Sequence, residues 1–241
     1  MDFEEDQNIG TMDVLEKHKF DFIALEKFMS ENVSDFEGPI KVEEFKGGQS
    51  NPTYKVTDKN RSYVLRRKPP GKLLKSAHAV DREYRVITAL NQTDVPVPTS
   101  YALCEDENII GTAFYIMEFM DGRVLWDASM EKHSKEEALG VYTSMNSTMA
   151  KLHSVDPYEI GLETFGKPGN YVGRQVSIWT KQYQDSETEE IPEMNKLIEW
   201  FPENLPSDKP LRIVHGDFSL TNLMIDKTQP ELRAILDWEL S

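Results

Sequence analysis

Ile213-Val-His-Gly-Asp217-Phe-Ser-Leu-Thr-Asn222-Leu-Met-Ile-Asp226 and the following Ala234-Ile-Leu-Asp237-Trp-Glu239 form the stretch that decides the fold of this chain. In it, Asp217 precedes Asn222 by five positions and Asp237 follows fifteen positions later, each beside a short apolar run. The pattern predicts two short strands whose flanking loops carry these polar side chains. Mg²⁺ prefers oxygen ligands and takes few of them from protein, so Asn222 and Asp237 are candidate metal ligands. Asp217 is then available as a base.

The order of these groups resembles the catalytic and metal loops of protein kinases, where an asparagine also follows the catalytic aspartate by five positions. Two features differ. Gly216 stands where protein kinases carry arginine, and Asp237-Trp238-Glu239 replaces Asp-Phe-Gly. Both differences resemble the aminoglycoside phosphotransferase family, whose members are small-molecule kinases. A His-Gly-Asp tripeptide alone is a common turn, so the interpretation depends on the whole ordered set.

The composition restricts the class of protein. The chain has 241 residues, of which 39% are hydrophobic and 10% aromatic, enough for one large domain or two lobes. It contains no apolar run of eighteen residues, which argues against a membrane span. A formal charge of −15 opposes nonspecific binding to nucleic acid. The single cysteine, Cys104, excludes an internal disulfide, and the acidic amino terminus resembles no targeting sequence, so a cytoplasmic location is the default.

A glycine-containing turn lies between two alternating runs, 40–45 and 54–57, that read as strands. Its small residues would let backbone N–H groups approach phosphate oxygens, and its polar side chains add donors. The candidate phosphate-binding residues are Gly47, Gly48, Ser50 and Asn51. An ordinary hairpin is the alternative. The turn is not a Walker loop, because no Gly-Lys-Ser/Thr sequence follows it.

The run 62–68 predicts the next strand, on which Val64 and Arg66 share one face because side chains alternate. By resemblance to the kinase lysine strand, this face would line the nucleotide. A guanidinium can hold phosphate oxygens bidentately, so Arg66 is the candidate cation. Arg67 or Lys68 could take the role instead.

A helix is predicted over 77–90, with Glu83 as the counterpart of the kinase glutamate that pairs with the strand cation. An exposed acid on a charged helix is the alternative. Further helices are predicted over 22–31 with Asp21 as cap, and over 134–153, 174–184 and 194–201. An acidic loop is expected over 185–190 and a strand over 211–214.

The apolar run 109–120 reads as a buried strand that ends like the hinge between kinase lobes. By that resemblance, Met117 would be the gatekeeper beside the nucleotide base. The backbone carbonyl of Glu118 would accept from the adenine amino group, and the backbone amide of Met120 would donate to the ring. A plain core strand is the alternative. We place the boundary between an N-terminal lobe, 1–120, and a C-terminal lobe, 121–241, at this point.

Several short motifs are similar to the amino-terminal kinase-like domain of acyl-CoA dehydrogenase family members 10 and 11. They include Ser50-Asn51-Pro52-Thr53, Lys68-Pro69-Pro70-Gly71, Asp81-Arg82-Glu83 and Trp179-Thr180-Lys181-Gln182-Tyr183. The resemblance implies an α+β, two-lobed, protein-kinase-like fold with a small antiparallel-sheet lobe and a mainly helical large lobe. It also implies ATP and Mg²⁺ as cofactors, with a nucleotide and a small-molecule acceptor as partners.

In those multidomain proteins the kinase-like domain is associated with phosphorylation of 4-hydroxy fatty acyl-CoA. The resemblance therefore suggests fatty acid catabolism, a mitochondrial or peroxisomal location, and an acyl-CoA dehydrogenase domain in a longer product. The family continues past the metal aspartate, so we expect the large lobe to be truncated here. Ser219 and Thr221 stand where related domains tend to carry Arg and Asp. A pseudokinase or nucleotide-binding scaffold is thus the main rival, and a protein kinase is the weaker third interpretation.

Overall fold

The computed structural model describes residues 10–46, 51–71, 79–167, 169–207 and 211–241. Contacts within the chain separate two compact units, Met1–Val155 with Ile213–Ser241, and Asp156–Arg212. Gly47, Gly48 and Ser50 of the predicted phosphate loop lie outside the described residues. The lobe boundary at residue 120 is a division of a different kind, based on the kinase resemblance, and stays a prediction.

A six-stranded antiparallel sheet forms the centre of the first unit, with the strand order β1-β2-β3-β4-β6-β5. Its strands are β1 (Thr11–Met12), β2 (Lys41–Phe45), β3 (Thr53–Thr57), β4 (Ser62–Arg67), β5 (Ser100–Cys104) and β6 (Phe114–Glu118). The β3–β4 turn is closed by Asp58, whose Oδ1 accepts from the backbone N–H groups of Asn60 and Arg61, both at 2.7 Å. The predicted antiparallel-sheet lobe is confirmed.

The described part of the first unit contains four α-helices. They are α1 (Phe22–Asn32), α2 (Val80–Leu90), α3 (Glu107–Ile110) and α4 (Lys135–Ser154). Of these, α1, α3 and α4 begin at a capping side chain. Asp21 Oδ1 accepts from the N–H groups of Ile23 and Ala24 at 2.9 and 3.0 Å, so the predicted cap is confirmed. Ser134 Oγ caps α4 by accepting from Glu137 N–H at 3.1 Å. Such caps satisfy N–H groups that have no partner within the helix.

The core of the sheet lobe lies between α1 and one face of the sheet. It is built from Leu25 and Met29 of α1 and from buried apolar side chains at alternating strand positions, among them Tyr54, Tyr63, Leu65, Phe114 and Ile116. Each such side chain contributes about 1.5 to 3 kcal/mol by leaving water. This packing covers one face of the sheet and leaves the other face for the candidate active site.

A second, two-stranded antiparallel sheet in the same unit carries the decisive stretch. A 3₁₀ turn over Leu220–Asn222 leads into β7 (Leu223–Ile225), which pairs with β8 (Leu232–Ile235). Both strands are buried on one side, and α4 contacts β8 through Ser144 Oγ, which accepts from Leu232 N–H at 2.9 Å. The predicted strand after Asn222, the following turn, the second strand and Asp237 occur in that order, whereas the strand predicted before Asp217 does not form.

The second unit contains α5 (Tyr171–Ser186), α6 (Pro192–Trp200) and a 3₁₀ turn, Phe201–Glu203. Pro192 occupies the first turn of α6, where its missing N–H costs no hydrogen bond. In the described parts of the chain, no helix combines the length and apolarity that crossing a bilayer would demand.

Four sequence-based assignments are wrong in detail. The run 109–120 begins inside α3, because Asp106 caps that helix and Gly111, at φ +88°, ends it before β6 starts at Phe114. Residues 211–214 form no strand, since β7 already pairs with β8 on one side and bridges Arg123 at Ile225. The apolar spacing over 134–153 predicts that Leu139 faces the core, but in α4 its side chain is 70% exposed. The acidic loop begins after residue 186, because α5 includes residues 185 and 186.

Candidate active site

The loop over 215–222 brings Asp217 and Asn222 into direct contact. Asn222 Nδ2 donates to Asp217 Oδ2 at 2.7 Å and to the Asp217 carbonyl at 3.0 Å. The 3₁₀ turn makes this possible, since Asn222 N–H donates to the Ser219 carbonyl at 2.9 Å and turns its side chain back along the loop. Because Nδ2 is engaged, the side-chain carbonyl of Asn222 is the group left for a cation.

His215 connects this loop to the strand end that bears Asp237. Its Nε2 donates to the Leu236 carbonyl at 2.8 Å, and its Nδ1 accepts from Asp217 N–H at 3.3 Å. The two bonds together require the neutral tautomer with a proton on Nε2. Burial lowers the pKa of His215, which favours that neutral form. The ring also packs edge-on against Trp238 at 4.7 Å between centroids.

Gly216 explains why the arginine of the protein-kinase loop is absent here. Its φ is +90°, and a Cβ at this position would lie 2.5 Å from the Leu240 carbonyl oxygen. Only glycine adopts this backbone without strain and also fits this space. The tight turn sets Asp217 directly after His215.

Asp237 follows the end of β8 and is linked to Asn222 through the backbone. The Asn222 carbonyl accepts from Leu236 N–H at 2.8 Å, so the two predicted metal ligands belong to adjoining backbone segments. Asp237 has a φ of 61°, which is uncommon for a residue with a side chain. Strained backbone of this kind is concentrated at functional sites.

Arg66 faces the carboxylates of this region, as its strand face predicts. Its Nη2 lies 2.6 Å from Asp237 Oδ1 and 4.0 Å from Glu239 Oε2. Its Nε lies 3.2 Å from Glu83 Oε2, which is an ion pair, but the N–H does not point at an acceptor and makes no hydrogen bond. Burial would lower the pKa of Arg66, but the charges of Glu83 and Asp237 outweigh this effect, so the pKa lies above its ordinary value.

Two alternative cations lie elsewhere. Arg67 is on the opposite strand face, where its Nε donates to Thr112 Oγ1 at 3.0 Å. Lys68 Nζ is 3.6 Å from Asp81 Oδ1. Of the three basic residues considered, Arg66 is the one that contacts Asp237.

Glu83 is fully buried on α2, which is why the interpretation as an exposed helix acid is wrong. Its Oε1 accepts from Asn51 Nδ2 at 3.1 Å, and its Oε2 accepts from Tyr115 O–H at 3.1 Å. Burial raises the pKa of Glu83 to about 7, against the opposing effect of the Arg66 charge. The predicted pairing of Glu83 with Arg66 is present as an ion pair.

Sequence reasoning missed three contributors to the site: His215 as a link, Tyr115 and Glu239. Oxygen atoms of Glu83, Asp237 and Glu239 all lie within 4.8 Å of one another. Glu239 also accepts from Asn51 Nδ2 at 3.4 Å. Glu239 could have been found from its position two residues after Asp237, where the Asp-Phe-Gly motif of protein kinases has glycine and an acid is therefore unexpected.

The predicted hinge residues lie at the end of β6. Met117 is paired across the sheet with Val64, and both side chains are buried. The Glu118 carboxylate accepts from Thr99 N–H at 3.1 Å and from Thr99 Oγ1 at 2.8 Å. Met120 follows and is half-buried. The backbone contacts assigned to Glu118 and Met120 stay predictions.

The fold and these loops define a kinase-like phosphotransferase. Residues 41–241 match the model of the phosphotransferase enzyme family, APH, and the chain belongs to that family.

Curated relatives share this chain over part of their length. It is 46% identical over 219 residues to acyl-CoA dehydrogenase family member 10 of Mus musculus, which covers 90% of this chain and 20% of that protein. It is 42% identical over 243 residues to acyl-CoA dehydrogenase family member 11 of Rattus norvegicus, which covers 99% of this chain and 31% of that protein. The chain therefore spans less than a third of either relative.

Solved structures show the same fold. A crystal structure from Ralstonia eutropha, provisionally named an aminoglycoside phosphotransferase, is 51% identical with a TM-score of 0.83 and covers 92% of this chain and 65% of that chain. A ternary complex of aminoglycoside phosphotransferase APH(4)-Ia with ADP and hygromycin B has a TM-score of 0.61 at 16% identity. It covers 90% of this chain and 71% of that one, and at this identity the likeness concerns the fold alone.

Proposed function

We propose that this chain is an ATP-dependent kinase that phosphorylates a hydroxyl group of a small molecule. The observation that carries the proposal is the 2.7 Å contact between Asn222 Nδ2 and Asp217 Oδ2, in a loop bonded to the backbone beside Asp237. The ordered set of a base, an amide and a second acid fits the phosphoryl-transfer arrangement. Membership of the phosphotransferase family supports it.

Asp217 would orient the acceptor hydroxyl and take its proton. Asn222 holds one oxygen of the Asp217 carboxylate, and His215 holds the backbone N–H of the same residue. The base is therefore positioned from two sides before an acceptor binds. Positioning and electrostatic stabilisation supply most of the catalysis in phosphoryl transfer.

The donor set fits Mg²⁺, because Asn222 and Asp237 present an amide and a carboxylate oxygen from adjoining segments. When bound, the cation would offset charge on the nucleotide phosphates. Arg66 would contact phosphate oxygens with its guanidinium group. Gly47, Gly48 and Ser50 remain the proposed backbone and side-chain donors of the loop, and Val64, Met117, Glu118 and Met120 the proposed surroundings of the base. Solved relatives of the same fold bind ADP or AMP-PNP, which supports ATP as the nucleotide.

For the acceptor we propose 4-hydroxy fatty acyl-CoA. The curated relatives are named acyl-CoA dehydrogenases, and this chain matches a minor part of their length. A kinase domain attached to such a dehydrogenase would prepare a hydroxylated acyl chain for fatty acid catabolism. Association with a dehydrogenase domain in a longer product, and a mitochondrial or peroxisomal location, follow from the same proposal.

The test measures phosphoryl transfer from ATP with Mg²⁺ to 4-hydroxyacyl-CoA, with the acyl-CoA lacking the 4-hydroxyl group as matched control. Asp217→Asn should lower turnover about 100-fold or more, as expected for loss of a positioned proton acceptor. Asp185→Asn, an exposed change on α5, is the control variant and should leave turnover unchanged. Equal turnover of Asp217→Asn and the unaltered protein would remove Asp217 from the mechanism.

A nucleotide-binding scaffold is the second candidate, favoured by the 2.6 Å ion pair that engages Asp237 with Arg66. Thermal unfolding with increasing Mg·ATP separates the two. Stabilisation together with transfer to an alcohol supports the kinase. Stabilisation without transfer to any alcohol tested supports a binding module, and absence of stabilisation supports a scaffold that does not use nucleotide.

A further inference from the structure

Asn51 occupies an unusual place for a residue of a phosphate-binding loop. It stands just before β3, at the carboxyl end of the loop that carries Gly47, Gly48 and Ser50. It is 1% exposed. A side chain whose main role is to bind phosphate is expected to be accessible to the nucleotide. The Asn51 side chain is instead enclosed by protein.

The side-chain amide of Asn51 contacts two acids from different parts of the chain. Its Nδ2 donates to Glu83 Oε1 on α2 at 3.1 Å and to Glu239 Oε2, beyond β8, at 3.4 Å. The backbone around it is also fixed, since its carbonyl accepts from Thr53 Oγ1 at 2.9 Å. One amide group thus joins the base of the loop to the helix that carries Glu83 and to the segment that carries Asp237.

The charges of the surroundings explain why an amide suits this position. The acids Glu83, Asp237 and Glu239 are within 4.8 Å of one another, and Arg66 is paired with Asp237. An amide donates hydrogen bonds to two carboxylates without adding positive charge. It therefore lowers the cost of gathering these acids while leaving their negative charge to attract a cation. A carboxylate at residue 51 would add repulsion instead.

We propose that Asn51 is a positioning residue that fixes the segment entering β3 to the segment after Asp237 through Glu239. Glu239 receives the bond and so sets the position of the segment that follows Asp237. The effect on nucleotide binding rests on the proposed kinase function, but the connection between Asn51 and Glu239 does not. A direct contact between the Asn51 side chain and phosphate is the competing role.

A double-mutant cycle tests the connection in the nucleotide-free protein. Asn51→Ala and Glu239→Ala should each lower Tm, and the double variant should lie within ~1 °C of Asn51→Ala, because Asn51→Ala already removes the bond that Glu239→Ala removes. Additive losses would show that the two side chains act independently and would overturn the proposal. Asn60→Ala, an exposed change in the β3–β4 turn, should leave Tm unaltered and serves as the matched control.

Mg·ATP affinity, measured by calorimetry on the same variants, tests the consequence. Asn51→Ala should weaken binding about tenfold, as typical for loss of a hydrogen bond to a charged group. The double variant should bind no worse than Asn51→Ala by more than about threefold. If each single change weakens binding tenfold and the double a hundredfold, Asn51 acts on phosphate directly and the proposal fails.

Glu239→Gln decides between a link and a charge effect, and it keeps the overall shape if Glu239→Ala folds poorly. The amide oxygen can still accept from Asn51. The Tm of Glu239→Gln should return to that of the unaltered protein. Its Mg·ATP affinity should lie within about threefold of that of the unaltered protein. If Glu239→Gln is as impaired as Glu239→Ala, the carboxylate acts through its charge and the link is overturned. If neither the unaltered protein nor any variant binds Mg·ATP, the proposed function fails. The Tm cycle then still tests the link between Asn51 and Glu239.

Discussion

Arg66 Nη2 lies 2.6 Å from Asp237 Oδ1, although the two residues are 171 positions apart in the chain. The residue proposed to bind phosphate and a residue proposed to bind Mg²⁺ thus form an ion pair with each other. If Asp237 bound a metal ion and Arg66 bound phosphate oxygens, two new interactions would replace the ion pair between Arg66 and Asp237. If both proposed roles hold, we expect a metal ion and an anion to bind this site together rather than singly.

Arg66→Ala should weaken Mg·ATP binding by at least about tenfold, because the guanidinium bonds to phosphate are lost. It should also lower the free energy of unfolding by about 3 to 5 kcal/mol, since Glu83 would be left as a buried carboxylate without a cation. Calorimetry and urea unfolding measure the two effects. Arg233→Ala, an exposed change on β8, is the control. Unchanged affinity in Arg66→Ala would exclude Arg66 from phosphate binding.

The order of elements could be predicted because it is written in local patterns. Alternation of apolar residues predicts β2 and β3, and the cap at Asp21 predicts the start of α1. The spacing of an acid, an amide and a second acid beside short apolar runs predicts that Asp217, Asn222 and Asp237 belong to one site. These signals depend on residues close together in sequence.

The features of the fold and the site that the sequence did not predict depend on contacts between residues far apart in the chain. The bonds from His215 to the Leu236 carbonyl and from Tyr115 to Glu83 join separate elements, and no periodicity reports them. Residues 211–214 are mostly apolar, as in a buried strand, yet a strand also requires a partner edge, which the sequence does not identify. Burial of Glu83 likewise depends on how α2 packs.

Gly216→Ala should destabilise the protein by about 3 kcal/mol, from a left-handed backbone and a Cβ 2.5 Å from the Leu240 carbonyl. Gly111→Ala is the matched control, because its φ of +88° is similar but no atom lies within 4 Å of the added Cβ. That change should cost about 1 kcal/mol. Urea unfolding compares them, and equal losses would mean that the close approach at Gly216 relaxes without cost.

The protein should lose stability below about pH 6.5, in part because His215 must then accept a proton. Its folded pKa lies below the ordinary 6.5 through burial, so its contribution is present above 6.5 and is lost as pH falls through the folded value. His215→Gln should therefore narrow the stability difference between pH 7.5 and pH 5. Urea unfolding at both values measures this, with exposed His153→Gln as the control. An unaltered pH dependence in His215→Gln would contradict the neutral tautomer.

Glu83 should give the opposite sign. Burial raises its pKa from 4.5 to about 7, so its contribution is present below pH 4.5 and is lost as pH rises through 7. Relative to Glu83→Gln, the unaltered protein should lose up to about 3 kcal/mol between pH 4.5 and 7.5, at ~1.4 kcal/mol for each pH unit of displacement. Urea unfolding across this range measures the difference, with exposed Glu163→Gln as control. A difference that stays constant or grows with pH would mean that Arg66 holds Glu83 ionised throughout.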